Sequence, residues 1–186
     1  MIESLIITLL PVLFLIVLFG GGAIFRRRNI DMDGDAPIGR TVFVISKYAI
    51  VILWACAIFQ TWGVHLSFFE IPNPVRSIAL LLFILGFLLL FAGRFEMGSS
   101  FRIGSPKEDT KLKVNGLFRF SRNPMYLGVY TTILASVVYT LNPILLAVCI
   151  FVIAVHHRIV LAEEQYLLQV FGEEYREYSA RVRRYI

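Results

Sequence analysis

Charge is absent from most of the length of this chain. Five apolar blocks fall at about residues 2–25, 41–62, 75–93, 125–141 and 144–161, and most of the charges lie between them. A helix needs roughly 20 apolar residues to cross a bilayer, and less within a hairpin. In lipid each backbone polar group needs a partner from the chain itself, so a multi-block chain of this kind folds as packed helices. Hydrophobic residues make up 58% of the 186 positions, above the roughly 45–50% of soluble domains. The expected fold class is therefore all-α: a polytopic membrane protein of about five transmembrane helices.

Lys and Arg assign the sides of the membrane. The link after the first block holds Arg26, Arg27, Arg28 and Arg40. The link after the third holds Arg94, Arg102, Lys107, Lys111, Lys113, Arg119 and Arg122, and the tail holds Arg176, Arg181, Arg183 and Arg184. The other two links, residues 63–74 and Asn142-Pro143, carry neither Lys nor Arg. Five spans with the amino terminus outside and the carboxyl terminus in the cytoplasm satisfy this distribution. The first block is expected to be a retained helix, because its positive charges follow the apolar run, the reverse of a cleavable signal. Trp54 and Trp62 are candidate interface anchors. The net charge of +5 sits beside apolar blocks, where it sets topology and meets anionic lipid rather than nucleic acid.

Asn142 caps a helix and Pro143 fits its first turn, so the last two blocks form a tight hairpin. Beyond them Leu167, Phe171, Tyr175, Tyr178 and Val182 recur at helical spacing, an amphipathic helix at the cytoplasmic interface that Gly172 bends or splits. Several tempting signals carry no chemistry. Cys56 and Cys149 lie inside apolar blocks without metal or disulfide spacing. Gly20-Gly21-Gly22 follows no strand and marks close helix packing. The acidic run at residues 31–35 lacks the distal Glu of a calcium loop, since Val42 stands near that position. His65, His156 and His157 form no ligand set and supply interface polarity, so no metal is expected.

The chemistry concentrates in two stretches. The first, Thr110 to Gly128, reads T-K-L-K-V-N-G-L-F-R-F-S-R-N-P-M-Y-L-G. Asn115-Gly116 marks a turn, and Arg122-Asn123-Pro124 leads into a helix whose start offers backbone N–H groups to an anion. Tyr126 adds an aromatic face suited to a sulfonium cation. The second, Arg158 to Tyr178, reads R-I-V-L-A-E-E-Q-Y-L-L-Q-V-F-G-E-E-Y-R-E-Y. The hairpin returns Glu163-Glu164, at the end of the fifth block, to the face that carries Arg122 to Tyr126. Arg158, a cation about one turn inside the membrane, needs a partner or a ligand there. These residues also fit a plain interface, where Arg122 snorkels, the Glu pair balances charge and Pro124 starts a helix.

R-N-P-M-Y-L-G, a helical hairpin, then E-E-x-x-L-x-x-x-F-G-x-x-Y-x-x-Y resembles the isoprenylcysteine carboxyl methyltransferase family and the related phospholipid methyltransferases. The resemblance covers residues 102–186, and the first three helices match only in being apolar. It implies a division into 1–101, three transmembrane helices, and 102–186, a methyltransferase core that binds S-adenosylmethionine. It implies cofactor contacts from Lys113, Phe118, Arg122, Asn123, Pro124, Met125, Tyr126, Glu163 and Glu164, and places Arg158 near an arginine that holds the substrate. Asn123 stands where the family usually has His, Phe118 where Tyr is common, and His157 at a basic position. The implied reaction is methyl transfer to a lipophilic acceptor drawn from the bilayer, with a carboxylate favoured. A phospholipid amine, a small thiol or carboxylate, and a non-catalytic scaffold or transporter subunit are the alternatives.

Overall fold

The computed structural model describes residues 1–27, 38–98 and 112–186, with side chains described outside 21–27. The acidic run at 31–35, Arg102, Lys107, Lys111 and the boundary at 101/102 lie outside the described residues. Among these residues there are six α-helices: α1 (Ile2–Arg27), α2 (Arg40–Thr61), α3 (Asn73–Met97), α4 (Pro124–Thr140), α5 (Pro143–Phe171) and α6 (Glu173–Arg181). A 3-10 turn, Gly116–Arg119, precedes α4. The all-α polytopic architecture is that of the sequence reading.

Among the described residues, four helices are long and apolar enough to cross a membrane: residues 2–20 of α1, then α2, α3 and α5. The fourth block is shorter. With 17 residues, α4 extends about 25 Å, less than the roughly 30 Å hydrocarbon core. It is largely buried among α2, α3 and α5, so its length answers to neighbouring helices rather than to lipid. Asn142 caps α5 as expected, accepting from the N–H groups of Ile144 (2.9 Å) and Leu145 (3.2 Å).

The closest packing is between α3 and α4. A Cβ on Gly128 would stand 2.9 Å from the Gly86 carbonyl oxygen, and one on Gly86 would stand 2.6 Å from the Thr132 methyl. Small residues let membrane helices approach to this degree. Gly20 plays no such part, because nothing lies within 4 Å of its Cβ position. Beside this crossing Phe14, Trp54, Phe83 and Phe87 stack edge to face or tilted. Trp54 is thus a core residue rather than an interface anchor, with its indole N–H donated to Thr132 at 3.0 Å. Trp62 is exposed and donates to Thr8.

Arg76 is a cation near the start of α3, at the end of the bundle away from the two motifs. It is held there by Glu3 at 2.8 Å and the Tyr139 hydroxyl at 3.0 Å, which join α1, α3 and α4. At the opposite end α5 runs ten residues beyond the expected limit of the fifth block. Glu163 and Glu164 therefore lie inside the helix. Its backbone ladder continues to Gly172, where φ of +52° ends it. The amphipathic stripe divides at that glycine. Leu167 and Phe171 stay on α5, Tyr175 and Tyr178 belong to α6, and Val182 is extended. Tyr175 and Tyr178 are buried against the protein rather than laid on an interface.

Candidate functional site

The site is assembled at the end of the bundle where α3 and α5 finish and α4 begins. Gly116 takes φ of +61° in the Asn115-Gly116 turn. The Glu96 carboxylate of α3 accepts the Leu117 N–H at 2.9 Å, and a Cβ on Gly116 would strike that carboxylate. The positive φ is what favours glycine here, since the Glu96 carboxylate is the far end of an exposed side chain. From the other side Tyr178 of α6 donates to the Phe118 carbonyl at 2.7 Å. The loop is thus clamped between α3 and α6 before it enters α4.

Asn123 precedes Pro124, the first residue of α4, and its side chain does not cap the helix. Its amide instead donates to Glu164 Oε1 at 2.9 Å and to the Arg184 carbonyl at 3.2 Å. Glu164 Oε2 accepts from Arg122 at 3.2 Å and from Arg184 at 3.0 Å. Both oxygens of Glu164 are engaged by the protein. Its neighbour differs, since Glu163 Oε1 accepts from the Tyr126 hydroxyl at 2.8 Å. The hairpin brings the two motifs together at hydrogen-bond distance although about 40 residues separate them.

These residues border a cavity of ≈ 580 Å³, within the roughly 300–1,000 Å³ range of small-molecule sites. Lys113, Phe118, Arg122, Asn123, Pro124, Met125, Tyr126, Glu163 and Glu164 all line it. Arg158 does not, and its residue is exposed on α5. The cavity continues as an apolar arm between α1 and α2, lined by Phe14, Leu15, Leu18, Val51 and Trp54. Its Phe19 and Tyr48 are about two-thirds exposed, at 65% and 67%. Two wall atoms, Arg122 Nε and the Tyr175 hydroxyl, are buried without a hydrogen bond among the described residues. Such groups are costly to bury unpaired and suit a polar ligand.

Lys47, His156, Tyr175 and Tyr178 also line the cavity and were not singled out for it by the sequence. Lys47 was detectable as a cation inside an apolar block; its ammonium lies 3.6 Å from the Phe43 ring centre. His156 is buried rather than at an interface, with Nδ1 2.9 Å from the Val152 carbonyl. Burial, aided by the negative charge of Glu164, pushes the Tyr175 hydroxyl up to about 12. Burial raises Tyr178 as well. Both phenols therefore stay neutral hydrogen-bonding groups at physiological pH.

Fold and site together define a helical membrane protein whose loop-to-helix motif and acidic pair line one cavity. Residues 75–174 match the phospholipid methyltransferase family, and the chain belongs to that family. It is 33% identical over 110 residues to protein-S-isoprenylcysteine O-methyltransferase of Saccharomyces cerevisiae, covering 53% of this chain and 46% of that protein. It is 27% identical over 158 residues to methanethiol S-methyltransferase 1 of Bradyrhizobium diazoefficiens, covering 78% of this chain and 53% of that protein. The chain thus spans about half the length of these curated relatives.

Proposed function

We propose that the protein is a membrane-embedded S-adenosylmethionine-dependent methyltransferase acting on a lipophilic acceptor, with a carboxylate favoured. The observation that carries this reading is a single cavity with a polar end built from both motifs and an apolar arm reaching exposed residues of α1 and α2. Residues 102–186 would hold the cofactor, while the first three helices supply the acceptor arm.

The donor set at the polar end fits the cofactor. The uncapped start of α4 and the Arg122 guanidinium suit its amino-acid carboxylate. Glu163 suits its amino or ribose hydroxyl groups, and Phe118 and Tyr126 offer aromatic surface to the adenine and the cation. When bound, the cofactor supplies an electrophilic methyl group. The residues of the chain then have three tasks: to bind, to orient and to exclude water. Holding two reactants in line removes much of the entropic barrier, so no side-chain nucleophile is required. The apolar arm would admit the acceptor from the bilayer, with its reactive group at the junction beside Lys47 and Glu163. The Lys and Arg distribution supports a cytoplasmic position for this end of the bundle.

A thiol acceptor is the second reading, favoured by the relative that covers more of this chain and is named for methanethiol. Purified protein should bind S-adenosylmethionine and transfer its labelled methyl group to one of a matched set of lipophilic carboxylate, thiol and amine acceptors. Failure to bind the cofactor would refute the function. Transfer to the thiol alone would replace the carboxylate reading.

A further inference from the structure

The segment after α6 belongs to neither motif, yet it touches both. Val182 leaves the helix extended, with φ −115° and ψ 130°. The Arg183 carbonyl then accepts the Arg122 backbone N–H at 3.0 Å. The Arg184 carbonyl accepts from the Ser121 hydroxyl and the Asn123 amide, each at 3.2 Å. The Arg184 side chain reaches Glu164 Oε2 through Nε and Nη2, both at 3.0 Å. Tyr185 pins the end, with its hydroxyl 2.8 Å from His157 Nδ1 and 3.5 Å from the Tyr130 hydroxyl.

We propose that this strap, residues 182–185, braces the cofactor pocket from behind its lining, with Arg184 a positioning residue acting through Glu164 and Asn123, which do line it. The proposal rests on the cofactor reading given above. The Glu164 side chain is only 11% exposed, and Arg122, at 13%, is its other cationic partner. With Arg184 present the cluster of two guanidinium groups and one carboxylate is net positive beside the start of α4. That field favours the carboxylate of a ligand. Arg184 also shares the hold on Glu164, so that Arg122 is not spent on it alone. Without Arg184 the remaining pair is neutral, and the Arg122 guanidinium is drawn wholly to Glu164. The acidic pair therefore divides its labour. Glu164 is fixed by the strap, and Glu163 is the carboxylate presented to the ligand.

The test is cofactor affinity by calorimetry and steady-state kinetics on detergent-purified full chain, for wild type, Arg184→Met, Arg184→Lys, Glu164→Gln and the double variant Glu164→Gln/Arg184→Met. Arg184→Met should weaken binding of S-adenosylmethionine and S-adenosylhomocysteine alike, by about tenfold, the scale of one lost charge-assisted hydrogen bond. The partial exposure of Arg184 (35%) keeps the effect at that lower end. KM for the cofactor should rise while kcat at saturation changes less than about twofold, since no reacting atom is touched. Arg184→Lys should recover part of the loss, because it keeps the charge without the two-nitrogen contact. The double variant should lose less than the sum of the singles, because each single leaves a charge uncompensated. Arg181→Met, an exposed cation on α6, should bind as wild type does.

Wild-type affinity in a folded Arg184→Met would overturn the proposal, as would strictly additive losses. If Arg184→Met fails to fold, wild-type affinity in Arg184→Lys would overturn it equally. A wild-type protein that binds no cofactor would instead sink the functional reading, and the proposal with it.

Discussion

Glu163→Gln isolates the charge of the motif carboxylate that faces the cavity with no arginine partner among the described residues. The amide is nearly isosteric, and its oxygen can still accept the Tyr126 hydroxyl now held at 2.8 Å, so the wall should keep its shape. A hydrogen bond to a charged group is worth about 1.5–3 kcal/mol, against about 0.5–1.5 for a neutral one. If Glu163 contacts the cofactor, the substitution should therefore cost about 1–1.5 kcal/mol of binding, roughly a five- to tenfold rise in Kd. Calorimetry with S-adenosylmethionine and S-adenosylhomocysteine separates two origins. Equal losses place the contact on the amino or ribose groups that both ligands share. A larger loss for S-adenosylmethionine places the carboxylate within reach of the sulfonium charge. Unchanged affinity for both ligands, in protein with wild-type thermal unfolding, would show that Glu163 is no ligand contact.

Gly128→Ala should destabilise the protein by about 1–3 kcal/mol, the usual cost of overpacking, since its Cβ would meet backbone atoms of Gly86 and Leu90 at 2.9 and 3.1 Å; a wild-type melting temperature in detergent would contradict the α3–α4 crossing. Arg158→Ala should leave cofactor affinity within about twofold, because Arg158 lies outside the cavity lining. Loss of turnover on a carboxylate acceptor in that variant would place the acceptor on the outer face of α5. With Cys56 and Cys149 replaced, a cysteine at Ser179 should be shielded from an impermeant reagent in intact cells and one at Asn73 labelled; the reverse pattern would move the site to the other side of the membrane.

Sequence by itself determined the helices, because exclusion of charge over about 20 residues reflects the cost of carrying charge into lipid and needs no tertiary knowledge. It also determined that Arg122 to Tyr126 and Glu163-Glu164 meet, since the two-residue Asn142-Pro143 turn leaves the hairpin no other geometry. Apolar sequence does not distinguish a residue facing lipid from one facing protein. For that reason Trp54 and His156 read as interface residues, and only packing put them inside. Charge marked the end of the fifth block at Glu163, whereas the helix continued to Gly172 because those carboxylates turn toward partners within the protein. The unequal fates of the two glutamates were decided by Arg184, which is 20 residues from Glu164 in the chain and 3.0 Å from it in space. An ion pair of that kind has no local periodicity to announce it, and the apolar arm between α1 and α2 likewise exists only once separate helices are set side by side.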